Sequence, residues 1–260
     1  MFGRFARPRA ESFALPPGER AYAIGDVHGC RDLLEDLLAR IDQDDAARGP
    51  ATTHLILLGD LIDRGPDSAG VVRLVSRLMT ASDRVRLIKG NHEEVFVKAA
   101  RGSPRAARGL LEMGGYETLE SFGIDRESAD HGTLDDLCKL IAERVPAEAI
   151  DLLDAGEDMA LIGDYLFVHA GIRPGKPLDQ QTGADLRWIR EPFLSARRRD
   201  PWMIVHGHTP ADDVDHGPQR IGIDTGAFMG GVLTAIGLEG DERWFLQTGA
   251  GEGGEPDRTP

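Results

Sequence analysis

A chain of 260 residues, 41% hydrophobic and 28% charged, is long enough to bury one large core and carries no sign of separate modules. Its 44 acidic side chains against 30 basic ones give a formal net charge of −14, which disfavours nonspecific binding to nucleic-acid phosphates. No apolar run approaches the length of a membrane span, the first twenty residues hold no secretory signal, and Cys30 and Cys138 are too few to staple the chain; a cytoplasmic location is expected.

Residues 1–19, which include Arg4, Arg7 and Arg9, read as a disordered arm, 20–248 as one folded domain, and the Gly-, Pro- and Glu-rich stretch 249–260 as a disordered tail. After Pro16-Pro17-Gly18, a short strand over 22–26 feeds the turn Gly25-Asp26-Val27-His28-Gly29. Leu33, Leu34, Leu37, Leu38 and Ile41 then recur at threes and fours, opposite Asp32, Glu35, Asp36 and Arg40, which predicts an amphipathic helix. The apolar run Leu55-Ile56-Leu57-Leu58 predicts a buried strand that delivers Asp60, Asp63 and Arg64 just past Gly59. A second helix follows on Val71, Val72, Leu74, Val75, Leu78 and Met79, and a third strand on 85–91. Helical crossovers between strands imply a parallel or mixed sheet with helices packed on it.

Each of these strands ends in a glycine and a polar residue: Gly25-Asp26, Gly59-Asp60 and Gly90-Asn91. Glycine permits the sharp turn that aims the next side chain into a shared crevice, and in open α/β sheets ligands bind beyond the carboxyl ends of the strands. Residues from about 93 to 155 read as a helical insertion flanking that crevice, with breaks at Gly102-Ser103-Pro104 and Gly114-Gly115. A hairpin over 158–169, turning at Gly163-Asp164, and short strands at 203–206, 220–224, 232–236 and 243–247 make the second half richer in antiparallel pairing.

The polar residues at strand ends are Asp26, His28, Asp60, Asn91, His92, His169, His206 and His208. Carboxylate, imidazole and amide donors without cysteine suit a borderline divalent ion such as manganese, iron or zinc. They are too many for one ion, and two cations sharing a carboxylate would use them; such pairs suit in-line displacement at phosphorus.

The ordered motifs Gly25-Asp26-Val27-His28-Gly29, Gly59-Asp60-Leu61-Ile62-Asp63-Arg64-Gly65, Gly90-Asn91-His92-Glu93, His169-Ala170-Gly171 and Gly207-His208-Thr209-Pro210 resemble those of the calcineurin-like metallophosphoesterases. Within that family they are most similar to the phosphoprotein phosphatase branch, and Gly114-Gly115-Tyr116-Glu117-Thr118-Leu119 is similar to its bacterial and phage members. The resemblance implies a four-layer α/β/β/α sandwich with mixed sheets. It also implies two divalent metal ions, manganese first and iron or zinc as alternatives, with Asp26 and His28 on one, Asn91, His169 and His208 on the other, and Asp60 bridging both. A bridging water would then attack phosphorus directly, with no covalent phosphoenzyme. His92 is implied as general acid oriented by Asp63, and Arg64 as a fork of donors for phosphate oxygens. A second phosphate-binding arginine is expected within 186–190, with Arg190 preferred over Arg187.

His206 is expected to support the site or the core, Glu93 to brace neighbouring ligands, and His54, His131 and His216 to be ordinary surface or loop residues. Arg197-Arg198-Arg199 reads as a solvated helix end or loop. The function that follows is removal of phosphate from phosphoserine or phosphothreonine in proteins. The rival is hydrolysis of symmetrical dinucleoside polyphosphates, because metals and arginines recognise phosphate and leave the rest of the substrate to the loops. A phosphoprotein-binding scaffold without catalysis is disfavoured, since ligands and acid are all present.

Overall fold

The computed structural model describes residues 13–197 and 200–249. The first twelve residues of the expected arm, Arg198 and Arg199, and the tail beyond Gly249 lie outside the described residues. In chain order the elements begin with β1 (Glu19–Ile24), α1 (Arg31–Arg48), β2 (Thr52–Leu57), α2 (Ser68–Ala81) and β3 (Val85–Leu87). Helices α3 (Asn91–Ala100), α4 (Pro104–Glu112), α5 (Gly115–Ser121), α6 (Arg126–Asp130), α7 (Leu134–Arg144) and α8 (Ala147–Asp154) follow without an intervening strand. The remainder comprises β4 (Met159–Ile162), β5 (Tyr165–Val168), α9 (Gly183–Trp188), β6 (Met203–His206), β7 (Asp215–Gly217), β8 (Arg220–Gly222), α10 (Ala227–Gly230), β9 (Thr234–Glu239) and β10 (Glu242–Gln247).

Two mixed five-stranded sheets result, ordered β10-β9-β1-β2-β3 and β4-β5-β6-β8-β7. β1, β2 and β3 pair in parallel, as their helical crossovers require, and β9 returns antiparallel to β1. Alternation along β1 assigns its faces: Tyr22 and Ile24 pack with the helices, whereas Ala21 and Ala23 face the second sheet beside Tyr165, Phe167 and Val205. The outer face of the second sheet, Leu166, Val168 and Ile204, is covered by Leu186, Ile189 and Phe193 from α9 and the segment after it. The layers are therefore helices, sheet, sheet and a thin outer cover, an α/β architecture of the expected kind.

Two expectations need correction. Residues 13–19 are not a disordered arm: Phe13 and Leu15 are buried in the inter-sheet core, and the Leu15 N–H donates to the Gly240 carbonyl at 2.8 Å. Two apolar side chains spaced by two reach the same face and can close the sandwich edge. The second half is also less antiparallel than expected. β5–β6 and β6–β8 pair in parallel: the connection through α9 crosses over between β5 and β6, and after β6 the chain runs through the edge strand β7 before returning as β8 beside β6.

Candidate dinuclear metal centre

The carboxyl ends of β1, β2, β5 and β6, together with the amino end of α3, meet at one place. Five of the six non-glycine residues with positive φ among the described residues are here: His28, Asp60, Asp63, Arg64 and His208. Left-handed backbone at non-glycine positions is costly and persists where surrounding contacts enforce it. Gly59, at φ +96°, shows one such contact: a Cβ there would lie 2.6 Å from the Gly90 nitrogen, so the turns after β2 and β3 touch backbone to backbone.

Asp60 is the hub. One carboxylate oxygen lies 3.8 Å from His28 Nε2 and 3.7 Å from His92 Nε2, and the other 3.4 Å from His169 Nε2. Two potential metal-binding groups result, His28–Asp60–His92 and Asp60–His169–His208, with Asp60 common to both. Asn91 joins the second, its Oδ1 2.9 Å from His169 Nε2. Asp26 is held from the other side by the His208 N–H, 3.1 Å from each of its oxygens.

The donor set fits divalent cations. His28 and His169 direct Nδ1 to the carbonyls of Ile62 and Leu58, each at 2.8 Å, which leaves Nε2 facing the centre. That is the arrangement by which an outer carbonyl orients a ligating imidazole. The buried Nε2 of His208 has no hydrogen-bond partner. Burial pushes His28 and His208 down to about 3, helped by His92 and Arg64 at the first and His169 at the second, so both rings are neutral with a lone pair available. Burial raises Asp26, and the neighbouring carboxylates Asp224 and Asp60 raise it further, a convergence of negative charge that a cation relieves. Burial works against ionisation of Asp60 as well, yet the imidazoles of His169 and His92 hold its carboxyl well below the ordinary range.

His92 and Asp63 form a separate pair. His92 Nδ1 is 2.6 Å from Asp63 Oδ2, while the Thr118 hydroxyl donates to the other Asp63 oxygen at 2.6 Å. Burial lowers the imidazole's affinity for a proton, but Asp60 and Asp63 outweigh it and raise the His92 pKa. Arg64 lies across both imidazoles, 3.0 Å from His28 Nε2 and 3.2 Å from His92 Nε2, with its guanidinium 4.7 Å from the centroid of the Phe228 ring. Glu93 accepts N–H bonds from Gly90, Asp60 and Leu61 at 2.7–2.9 Å, tying the β2 and β3 turns together.

Of the two arginines near α9, Arg190 reaches the centre, donating to the His208 carbonyl at 3.3 Å, whereas Arg187 is engaged by Glu94 and Asp158. His206 is buried with Nδ1 3.0 Å from the Gly207 carbonyl and its ring against Phe193, apart from both metal-binding groups. His54 lies 3.3 Å from Glu19 and is partly buried, and the His216 ring packs edge-on against Phe245. Sequence reasoning missed Asp224, Thr118 and Phe228. Asp224 follows the apolar run Ile221-Gly222-Ile223 and precedes Thr225-Gly226, the same strand-then-polar signal that marked the other ligands; Thr118 and Phe228 carry no such signal.

The model of the calcineurin-like phosphoesterases matches residues 20–228. A symmetrical bis(5'-nucleosyl)-tetraphosphatase of Klebsiella pneumoniae strain 342 is 45% identical, over 87% of this chain and 93% of its own. An asymmetrical bis(5'-nucleosyl)-tetraphosphatase of Halalkalibacterium halodurans is 30% identical, over 82% and 87%. A solved structure described as a candidate diadenosine tetraphosphatase superposes with a TM-score of 0.64 at 24% identity, over 90% of this chain and 98% of that one, a likeness of fold. Polar residues at the strand ends, an aspartate shared by two imidazole clusters and this match over most of the chain agree: the chain belongs to the calcineurin-like phosphoesterase family, enzymes that hydrolyse phosphate esters.

Proposed function

We propose that the protein hydrolyses dinucleoside polyphosphates, diadenosine tetraphosphate among them, at a two-metal centre. The observation that carries this reading is the set of relatives: those matching over 82–87% of the chain are named bis(5'-nucleosyl)-tetraphosphatases, of both the symmetrical and the asymmetrical kind. It takes the place of the phosphoprotein phosphatase expected from the motifs, which report only how phosphate is handled. Cytoplasmic action belongs to the same reading; Cys30 and Cys138 are both free, and no helix among the described residues is long and apolar enough to cross a membrane.

In this proposal Asp26, His28 and Asp60 hold one cation, and Asp60, Asn91, His169 and His208 the other, with manganese favoured by the donor types and iron or zinc as alternatives. Bound there, the cations supply charge neutralisation and a nucleophilic water for in-line displacement at phosphorus. Arg64 and Arg190 grip nonbridging phosphate oxygens from two sides of the centre. His92 carries the proton for the departing phosphate oxygen on Nε2, while Asp63 anchors Nδ1 and fixes the ring.

Turnover of diadenosine tetraphosphate and of a phosphoserine peptide, measured side by side with added manganese, tests the reading. The dinucleotide is expected to be the better substrate by at least about a hundredfold in kcat/KM. Chromatography of the products separates two ADP from AMP plus ATP and so assigns the position of cleavage. A phosphopeptide turned over while the dinucleotide is left intact overturns the reading.

A further inference from the structure

Only three large hydrophobic side chains among the described residues are exposed, Leu161, Trp188 and Met229, and the last two stand within two residues of Arg190 and Phe228, which contact His208 and His28 of the candidate centre. Met229, 63% exposed, stands on α10 beside Phe228, whose ring meets the His28 imidazole edge-on at 5.3 Å and lies under Arg64. α10 is a single turn framed by Gly226 and Gly231, both left-handed, and a Cβ on Gly226 would sit 2.8 Å from the Met229 Cε, so the pair is presented on a tight pedestal. On the opposite cluster, Arg190 donates to the His208 carbonyl at 3.3 Å, and Trp188 precedes it by two residues at the end of α9. The Trp188 indole is 41% exposed and donates Nε1–H to Glu94 at 3.3 Å, two residues beyond His92.

Each half of the candidate centre thus has one apolar shoulder: Phe228–Met229 against His28, and Trp188 two residues before Arg190, which bonds to the His208 carbonyl. Met229 and the Trp188 indole are exposed to solvent. Arg64 and Arg190, the candidate phosphate grips, stand beside these same two shoulders. A ligand matched to this layout is anionic in the middle and carries a flat ring at each end. Aromatic and thioether side chains stack on such rings, and every base has a π-face. We propose that Phe228–Met229 and Trp188 are the two base seats of the substrate, one for each nucleoside of a dinucleoside polyphosphate. This rests on the dinucleotide reading above and adds how the enzyme distinguishes a dinucleotide from any other phosphate chain.

The test uses three substrates of four phosphates that differ in the number of nucleosides: linear tetraphosphate with none, adenosine 5'-tetraphosphate with one and diadenosine tetraphosphate with two. In the manganese-loaded enzyme kcat/KM is expected to climb by about tenfold per base. Met229→Ala and Trp188→Ala should each remove about one step of that ladder, and the double variant should flatten it. The affinity of ADP relative to pyrophosphate, read by calorimetry, should fall in the single variants, which gives a readout independent of turnover. Both side chains are exposed, so folding and metal content are expected to survive. A double variant that keeps the full ladder overturns the seats while leaving the dinucleotide reading intact, and so does an equal loss on all three substrates, which marks a purely structural role. A parent enzyme that cleaves phosphopeptide and not the dinucleotide overturns both.

Discussion

Asp60 and His92 lie 3.7 Å apart and share the His28 cluster, yet they are expected to answer differently to neutral substitution. Asp60→Asn removes the negative charge common to both clusters. Loss of at least one equivalent of metal is expected, read by elemental analysis, with a fall in kcat/KM of about a hundredfold or more; a fully loaded, active variant rules out bridging. His92→Asn keeps both metals in the proposed roles, because its Nδ1 is committed to Asp63 and its Nε2 to the leaving group. The loss of rate is then about 10²–10⁴-fold and steepest for substrates with poor leaving groups. Loss of a metal from His92→Asn would instead make it a ligand, as its place beside His28 and Asp60 allows.

At the scale of elements, α9 shows how a short helix can be made to position an active-site wall. Thr182 and Asp185 form a capping box, and Asp185 also accepts from Arg173 at 2.6 Å and Lys176 at 3.0 Å, pinning the turn that leads to Trp188 and Arg190. Burial alone would raise the Asp185 carboxyl, but bonds from Lys176, Thr182 and Arg173 hold it below the ordinary carboxylate range. A depressed carboxyl contributes stability that is present above its unfolded pKa, about 4, and disappears as pH falls through the folded value. Asp185→Asn is therefore expected to cost about 1–2 kcal/mol in urea unfolding at pH 7. The gap should narrow progressively below about pH 4 and close only as pH falls through the depressed folded value, where the native carboxyl takes up its proton. A gap independent of pH would show that charge plays no part. The helical stretch α3–α8 has a different role: it completes the core against the first sheet, and α5 brings Thr118 to Asp63.

Across the whole molecule, the candidate centre draws its residues from both sheets, so cations bound there would cross-link the sandwich. Asp26, Asp60, His169 and His208 are at most 7% exposed, and without cations the carboxylates of Asp26, Asp60 and Asp224 repel one another. Removal of metal with a chelator is expected to abolish hydrolysis and to lower Tm by several degrees, with both restored by manganese. A melting temperature indifferent to metal would mean that the centre is rigid without it.

Local pattern is enough to read the first half of the main sheet and the strand-end residues that gather at the candidate centre. Period-two and period-3.6 patterns with glycine breaks are local, so β1, α1, β2, α2 and β3 follow from a few residues each, and the polar residue after each glycine falls at a strand end without knowledge of the fold. Which distant residues share a space is set by packing alone. The parallel pairing of β5 with β6 brings His169 and His208 to Asp60 and leaves His206, two positions away, against Phe193. The turn of α10 sets Phe228 against His28, the end of α9 brings Arg190 to the His208 carbonyl, and Phe13 and Leu15 close an edge that composition marks as a loose arm. Those outcomes depend on contacts between residues far apart in the chain, whose free energy comes from burial in the assembled sandwich and leaves no periodic trace in the local sequence.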